Sequence, residues 1–228
     1  MTNRLKEASL WTLFAFVSSQ GLRLFSNLIL TRFLLPELFG LMAIVTVFRV
    51  GLYMGSEIGL KVSIIRHDNG EDPEILNTAW TMQVIRGSFL WLLMILIAYV
   101  LAFDSGIGLI SSNAIYADER LPLLLMVMGS VAFISGFESS SLWLAQRNMN
   151  LARLSILELL SQFVGLIVMI YWAWMYPSVW ALVVGAIVSS VIKTLMSHVF
   201  LDGKKNYFCW NKKIVVEFLH SSHHLFCT

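Results

Sequence analysis

Six stretches of this chain, residues 10–35, 39–60, 79–103, 121–145, 154–176 and 179–200, are each apolar over about 20 residues or more. At 1.5 Å of rise per residue, about 20 helical residues cross the ~30 Å hydrocarbon layer of a bilayer. Backbone in lipid has no water to bond and must satisfy its own polar groups, so such segments cross as helices. The expected fold is therefore all-α and polytopic: six transmembrane helices in one bundle over residues 1–203, followed by a tail over 204–228. Composition agrees, since 57% of the 228 residues are hydrophobic and only 13% charged, too little polar surface to cover a soluble globule of this size.

The polar N-terminus, Met1 to Ser9, leads into an apolar run too long for a secretory signal, whose core is about 7 to 15 residues, so this run is read as a retained first span. Turn chemistry separates the spans: Pro36, Asn69-Gly70, Asp72-Pro73 and Pro177-Ser178. Asp72 ahead of Pro73 and Glu74 predicts an N-cap and first turn for the helix that feeds the third span.

Orientation follows from the basic residues, which favour short cytoplasmic segments. With the N-terminus inside, Arg4, Lys6, Lys61, Arg66, Arg147, Arg153, Lys204, Lys205, Lys212 and Lys213 are all cytoplasmic. Only Arg32 and Arg120 fall outside. Both termini are thus expected in the cytoplasm. Trp172, Trp174, Tyr176 and Trp180 gather at one outer turn, where amphipathic rings favour the headgroup layer.

Polar residues inside the spans carry the functional signal. Arg23 and Arg49 lie about midway along spans one and two, the costliest depth for a charge, so they are expected to face the protein interior or a watery cavity. Ser19, Ser26 and Asn27 share the face of Arg23, and Tyr53 and Ser56 follow Arg49 on its own face. Span five repeats the pattern with Glu158, Ser161, Gln162 and Gly165. Two like charges at one depth repel unless an anion lies between them, and the planar guanidinium fork matches phosphate oxygens. An anionic, phosphate-bearing ligand at mid-membrane is the expectation. Glu57, Arg86, Glu138, Glu158 and Lys193 lie nearer the cytoplasmic ends, where they can snorkel or form structural ion pairs, such as Arg86 with Glu57 or Glu138.

Other features carry less. His220, His223 and His224 lack matched acidic or cysteine partners, Cys209 and Cys227 fit neither a zinc pattern nor a disulfide framework, and the loop "HDNGEDPE" lacks EF-hand spacing. Ser139, Ser140 and Ser141 have no base at nucleophile spacing and read as a close-packing segment. There is no Walker A, Rossmann or zinc-protease motif. Neither a cofactor, a metal, a nucleic-acid partner nor an enzymatic activity is expected.

The stretches "LTRFLLPELFGLMAIVTVF" (Leu30 to Phe48), "SEIGLKVSIIRHD" (Ser56 to Asp68) and "LNTAWTMQVIRG" (Leu76 to Gly87) resemble the N-terminal part of the polysaccharide and oligosaccharide flippases. These form the Wzx-like branch of the multidrug/oligosaccharidyl-lipid/polysaccharide exporter superfamily. The matching positions are Thr31, Arg32, Pro36, Phe39 and Gly40 before span two, Gly59, Leu60 and Arg66 after it, and Thr78, Ala79 and Trp80 at the start of span three. The resemblance covers roughly Leu10 to Trp210. It implies transfer of an undecaprenyl-diphosphate-linked oligosaccharide across the bacterial cytoplasmic (inner) membrane, for lipopolysaccharide O-antigen or a similar surface polysaccharide, by alternating access around an arginine-lined cavity. On that reading Arg23, Asn27, Arg49, Tyr53 and Gln162 are the substrate-binding candidates, and Glu57, Glu138 and Glu158 the ion-coupling candidates.

Members of that family usually have 12 to 14 spans, so the resemblance is to the N-terminal half alone, and the ending "SSHHLFCT" reads as a truncated or frameshifted frame. Such a half is expected to be inactive unless a second copy or a separately encoded C-terminal half completes the cavity. Three other readings stay open. A multidrug-type exporter predicts a cavity dominated by carboxylates. A membrane-embedded polyprenyl-phosphate transferase predicts acidic metal ligands in a cytoplasmic loop, and a non-transporting subunit predicts closed ion pairs with no cavity.

Overall fold

A computed structural model describes residues 2–56, 59–66, 70–107, 118–201, 206–216 and 218. It is all-helical among the described residues: α1 (Thr2–Phe33), α2 (Pro36–Gly55), α3 (Leu60–Arg66), α4 (Pro73–Ile107), α5 (Leu121–Gly136), α6 (Ser141–Arg147), α7 (Leu151–Met175) and α8 (Trp180–Val199). Five of these are long and apolar enough to cross a membrane unaided. The pair α5 and α6, bent by 63°, reaches the same length and apolarity only when the two are taken together, as a broken span or a re-entrant loop. The protein is a multi-pass, all-α membrane protein.

Local chemistry sets the helix ends. Pro36 opens α2 at a position where its missing N–H is no loss. Asp72 caps α4 as expected: its Oδ1 accepts the Glu74 N–H at 2.9 Å and its carbonyl the Leu76 N–H at 3.0 Å. The third span thus begins at Pro73, six residues earlier than the apolar run. Arg147 at the end of α6 donates to the Ile64 and Ile65 carbonyls at 3.0 and 3.4 Å, placing a cation on the C-terminal end of α3.

The fourth span departs from the single helix expected over 121–145. It breaks between Phe137 and Ser140. A break inside a membrane frees backbone groups, and neighbouring helices satisfy them here. Gln83 of α4 donates to the Ser135 carbonyl at 2.8 Å, Thr194 of α8 to the Ile134 carbonyl at 3.2 Å, and His198 Nε2 lies 2.8 Å from the Phe137 carbonyl. The Ser139 N–H donates to Ser197 Oγ at 2.9 Å. The buried serine run therefore holds a bend, which its close-packing reading did not contain.

Take the end of the bundle that carries Phe33, Pro36 and Tyr176 as distal, and the end with Ser56, Pro73 and Arg147 as basal. The distal half is packed solid. Leu41 and Val45 of α2 meet Met94 and Ala98 of α4, Leu121 to Met128 of α5, and Val179 and Val183 at the start of α8. Beside them Leu30 of α1 and Leu34 in the turn after it close on Ala173, Ala181 and Leu182. α7 and α8 touch through glycines, since a Cβ on Gly165 would lie 2.7 Å from the Gly185 carbonyl oxygen. A smaller basal core of Leu60, Ile64, Leu76, Ala79 and Trp143 takes in Phe218.

Part of the segment expected as a tail is thus docked. Asn206 accepts from Ser140 Oγ at 2.6 Å and donates to Ser139 Oγ at 3.1 Å, while the Tyr207 and Cys209 amides donate to Asn77 and Thr81 at 3.0 and 3.1 Å. These bonds tie the strap 206–211 to α4 and to the break in span four.

Candidate ligand cavity

Above the basal core and below the distal plug, α1 leans on α7 while α2 leans on α5, so the first two helices diverge from their shared turn at Leu34 and Leu35. The space between them is a cavity of about 760 Å³. Its charged lining residues are Arg23, Arg49, Lys61, Arg86 and Lys193 against Glu138 and Glu158, a net charge of +3 among the described residues. Ser19, Gln20, Gln83, Ser135 and Gln146 add uncharged polar groups.

Arg23 and Arg49 both reach this cavity, but at different depths. Arg23 lies ten residues from the distal end of α1 and Arg49 thirteen from that of α2, about 15 and about 20 Å at the helical rise. Arg49 is therefore nearer the basal side than its place in the apolar run 39–60 indicated, because α2 starts at Pro36. Its Nε is buried with no hydrogen-bond partner among the described residues. A buried donor left unpaired costs about 1–3 kcal/mol, which a bound acceptor would recover.

Tyr53, one turn basal of Arg49, holds Arg86. Arg86 of α4 sits over its ring, with Cζ 4.5 Å from the centroid, and donates to the Tyr53 carbonyl at 3.0 Å and to Ser56 Oγ at 3.1 Å. Arg49 and Lys193 line the same cavity as Tyr53 and Arg86. Sequence periodicity had placed Arg86 and Lys193 at the ends of their spans as snorkelling groups, because contacts between α2, α4 and α8 cannot be read from any one helix.

The carboxylates divide differently from the expected pairing. Glu138 sits in the break of span four and binds Lys193 Nζ at 3.1 Å, where Arg86 had been the expected partner. Glu158 is exposed at the cavity wall. Glu57 lies outside the described residues, as do His220, His223, His224 and Cys227. Of the acidic run from Asp68 to Glu74, the structure describes Glu71, Asp72 and Glu74; Asp72 caps α4, and Glu74 Oε1 accepts from Asn211 Nδ2 at 2.9 Å.

The polar stripe of α7 does not point as a unit. Glu158 faces the cavity, Ser161 bonds back to the Glu158 carbonyl at 2.9 Å, and Gly165 meets α8. Gln162 Oε1 accepts from Ser19 Oγ at 2.8 Å and fastens α1 to α7. Gln162 is thus occupied in helix packing beside the cavity, and Asn27, exposed on α1, is not among its lining residues.

The described residues thus form a polytopic helical bundle with a cavity of net positive charge below an apolar core. Residues 29–228 match the polysaccharide biosynthesis protein family, and the chain belongs to it. No curated protein and no solved structure matches the chain significantly.

Proposed function

We propose that this protein takes part in flipping a lipid-diphosphate-linked oligosaccharide across the bacterial cytoplasmic membrane during surface polysaccharide synthesis. The observation that carries the reading is the excess of five cations over two carboxylates in one cavity. A lipid diphosphate brings negative charge that must leave water to cross, and guanidinium groups lining one cavity offer it charge-assisted hydrogen bonds. Arg23, Arg49 and Arg86 are the groups assigned to the phosphates. Tyr53 orders Arg86, and Ser19, Gln20 and Gln146 offer hydrogen bonds to sugar hydroxyls. The basic loops put the basal end, and so the cavity, on the cytoplasmic side where lipid-linked sugars are assembled.

No bond of the substrate is broken in this reading; the protein is a transporter and not an enzyme. A transporter of the alternating type needs a second wall facing α1 and α2, whose sides away from the cavity expose Leu13, Leu24, Leu28 and Val47. We assign that wall to a second copy of the chain or a separately encoded partner bundle. The charge balance weighs against a multidrug-type cavity dominated by carboxylates, and the open cavity weighs against a subunit closed by ion pairs.

The test is reconstitution of the purified chain in proteoliposomes with a fluorescent undecaprenyl-diphosphate glycan, reading binding and then access to an external quencher. Arg23→Gln and Arg49→Gln should each weaken binding by about tenfold or more while leaving membrane insertion intact. Binding unchanged in both variants overturns the reading.

A further inference from the structure

Lys193 and Glu138 form an ion pair inside the same cavity that is expected to receive the anion. Lys193 is the fourteenth of the twenty residues of α8, and Arg49 the fourteenth of the twenty of α2. Both helices run from the distal to the basal end, so the two cations stand at about the same depth. Lys193 and Arg49 line one cavity, with Glu138 as the present partner of the ammonium and Glu158 as the other carboxylate on the cavity wall.

Glu138 does not sit on a rigid helix. It lies in the four-residue break between α5 and α6, flanked by Phe137, whose carbonyl contacts His198, and by Ser139, which bonds Ser197 and Asn206. The lysine stem is long and flexible, its ammonium is a point charge that can turn to a new acceptor, and the pair is not sealed: the side chains are 35% and 15% exposed. Both side chains line the cavity, so an anion bound there competes with Glu138 for the ammonium.

We propose that Lys193 is a further ligand of the anionic substrate, held in reserve by Glu138, and that the anion binds by taking Lys193 from Glu138. The exchange adds a fourth cation to Arg23, Arg49 and Arg86. It also releases the carboxylate at the bend of span four, so occupancy of the cavity changes the contacts of the segment that joins α5 to α6. This inference rests on the reading of the cavity as a diphosphate site, and it assigns to that site a residue that must be unmasked.

The experiment is calorimetric titration of the full chain in lipid-detergent micelles with inorganic pyrophosphate. Wild type is compared with Glu138→Gln, Lys193→Gln and Arg49→Gln, and folding of each is checked by thermal unfolding. Removing the competitor should tighten binding by about fivefold in Glu138→Gln, and removing the ligand should weaken it by about tenfold in Lys193→Gln. A purely structural pair predicts the reverse for Glu138→Gln: lower stability with equal or weaker binding. Equal or weaker binding in a folded Glu138→Gln protein, with Arg49→Gln still impaired, overturns the exchange and leaves the diphosphate reading standing. Tighter binding in Glu138→Gln with Arg49→Gln unaffected supports the exchange and overturns the arginine site. Absence of binding in wild type overturns both. Should Glu138→Gln fail to fold, Glu138→Asp, which shortens the reach to Lys193, is expected to tighten binding in the same direction, and equal or weaker binding there overturns the exchange.

Discussion

Replacing Gly165 by alanine tests whether the contact between α7 and α8 is what positions the cavity wall. A Cβ at residue 165 would lie 2.7 Å from the Gly185 carbonyl oxygen and 2.7 Å from Ser189 Cβ, where ordinary contact begins at 3.4 Å. The first of these is backbone, which no rotamer change can move aside, so the two helices must part by about 0.7 Å. A gap of about 0.5–1 Å forfeits a quarter to a half of each dispersion contact that spans it. Overpacking of this kind typically costs about 1–3 kcal/mol. Gly21 and Gly40 serve as controls, because a Cβ at either meets nothing within 4 Å. Gly21→Ala and Gly40→Ala should be neutral or stabilising by up to about 1 kcal/mol through helix propensity alone. The assay is reversible unfolding by sodium dodecyl sulfate in mixed micelles, followed by tryptophan fluorescence. Because α7 carries Glu158 and α8 carries Lys193, Gly165→Ala should also weaken pyrophosphate binding. A Gly165→Ala protein as stable as Gly21→Ala would refute the close approach of the two helices and the reasoning built on it.

Three further outcomes follow from the same structure. Arg49→Met should raise the stability of the ligand-free protein by about 1–3 kcal/mol while weakening pyrophosphate binding, because it removes a buried donor that has no partner among the described residues; equal or lower stability in the unfolding assay would contradict this. Met149 has φ 53° in the exposed turn between α6 and α7, so Met149→Gly should stabilise by about 1 kcal/mol, again read by unfolding. Asn206→Ala should loosen the strap from Ser139 and Ser140, seen as faster proteolysis of 206–216 in vesicles of known orientation, and an unchanged cleavage rate would count against the strap being held there.

What was legible in the sequence follows from forces that act along one helix or across one bilayer. Hydropathy over windows of about 20 residues determined the all-α, multi-pass fold, since an apolar segment of that length has no lower-energy place than the membrane. The N-cap at Asp72 and the start of α2 at Pro36 were equally local, each depending on its own side chain and backbone. Arg23 and Arg49 announced a cavity because a permanent charge at that depth is too costly to leave facing lipid, and the structure places both on the cavity lining.

Only tertiary structure decided the rest. The bend at Phe137 to Ser140 carries no proline and lies in a run apolar enough to read as one span; it exists because Gln83, Thr194, His198 and Ser197 reach it from other helices. Lys193 pairs with Glu138, and Arg86 stacks on Tyr53, through contacts 55 and 33 residues apart in sequence, which no helical period encodes. Gln162, which shares a stripe with Glu158, turns instead to Ser19, because α1 packs directly on that part of α7. Periodicity says which residues share a face, whereas the neighbour that each face meets is settled by how the helices fill the space among them.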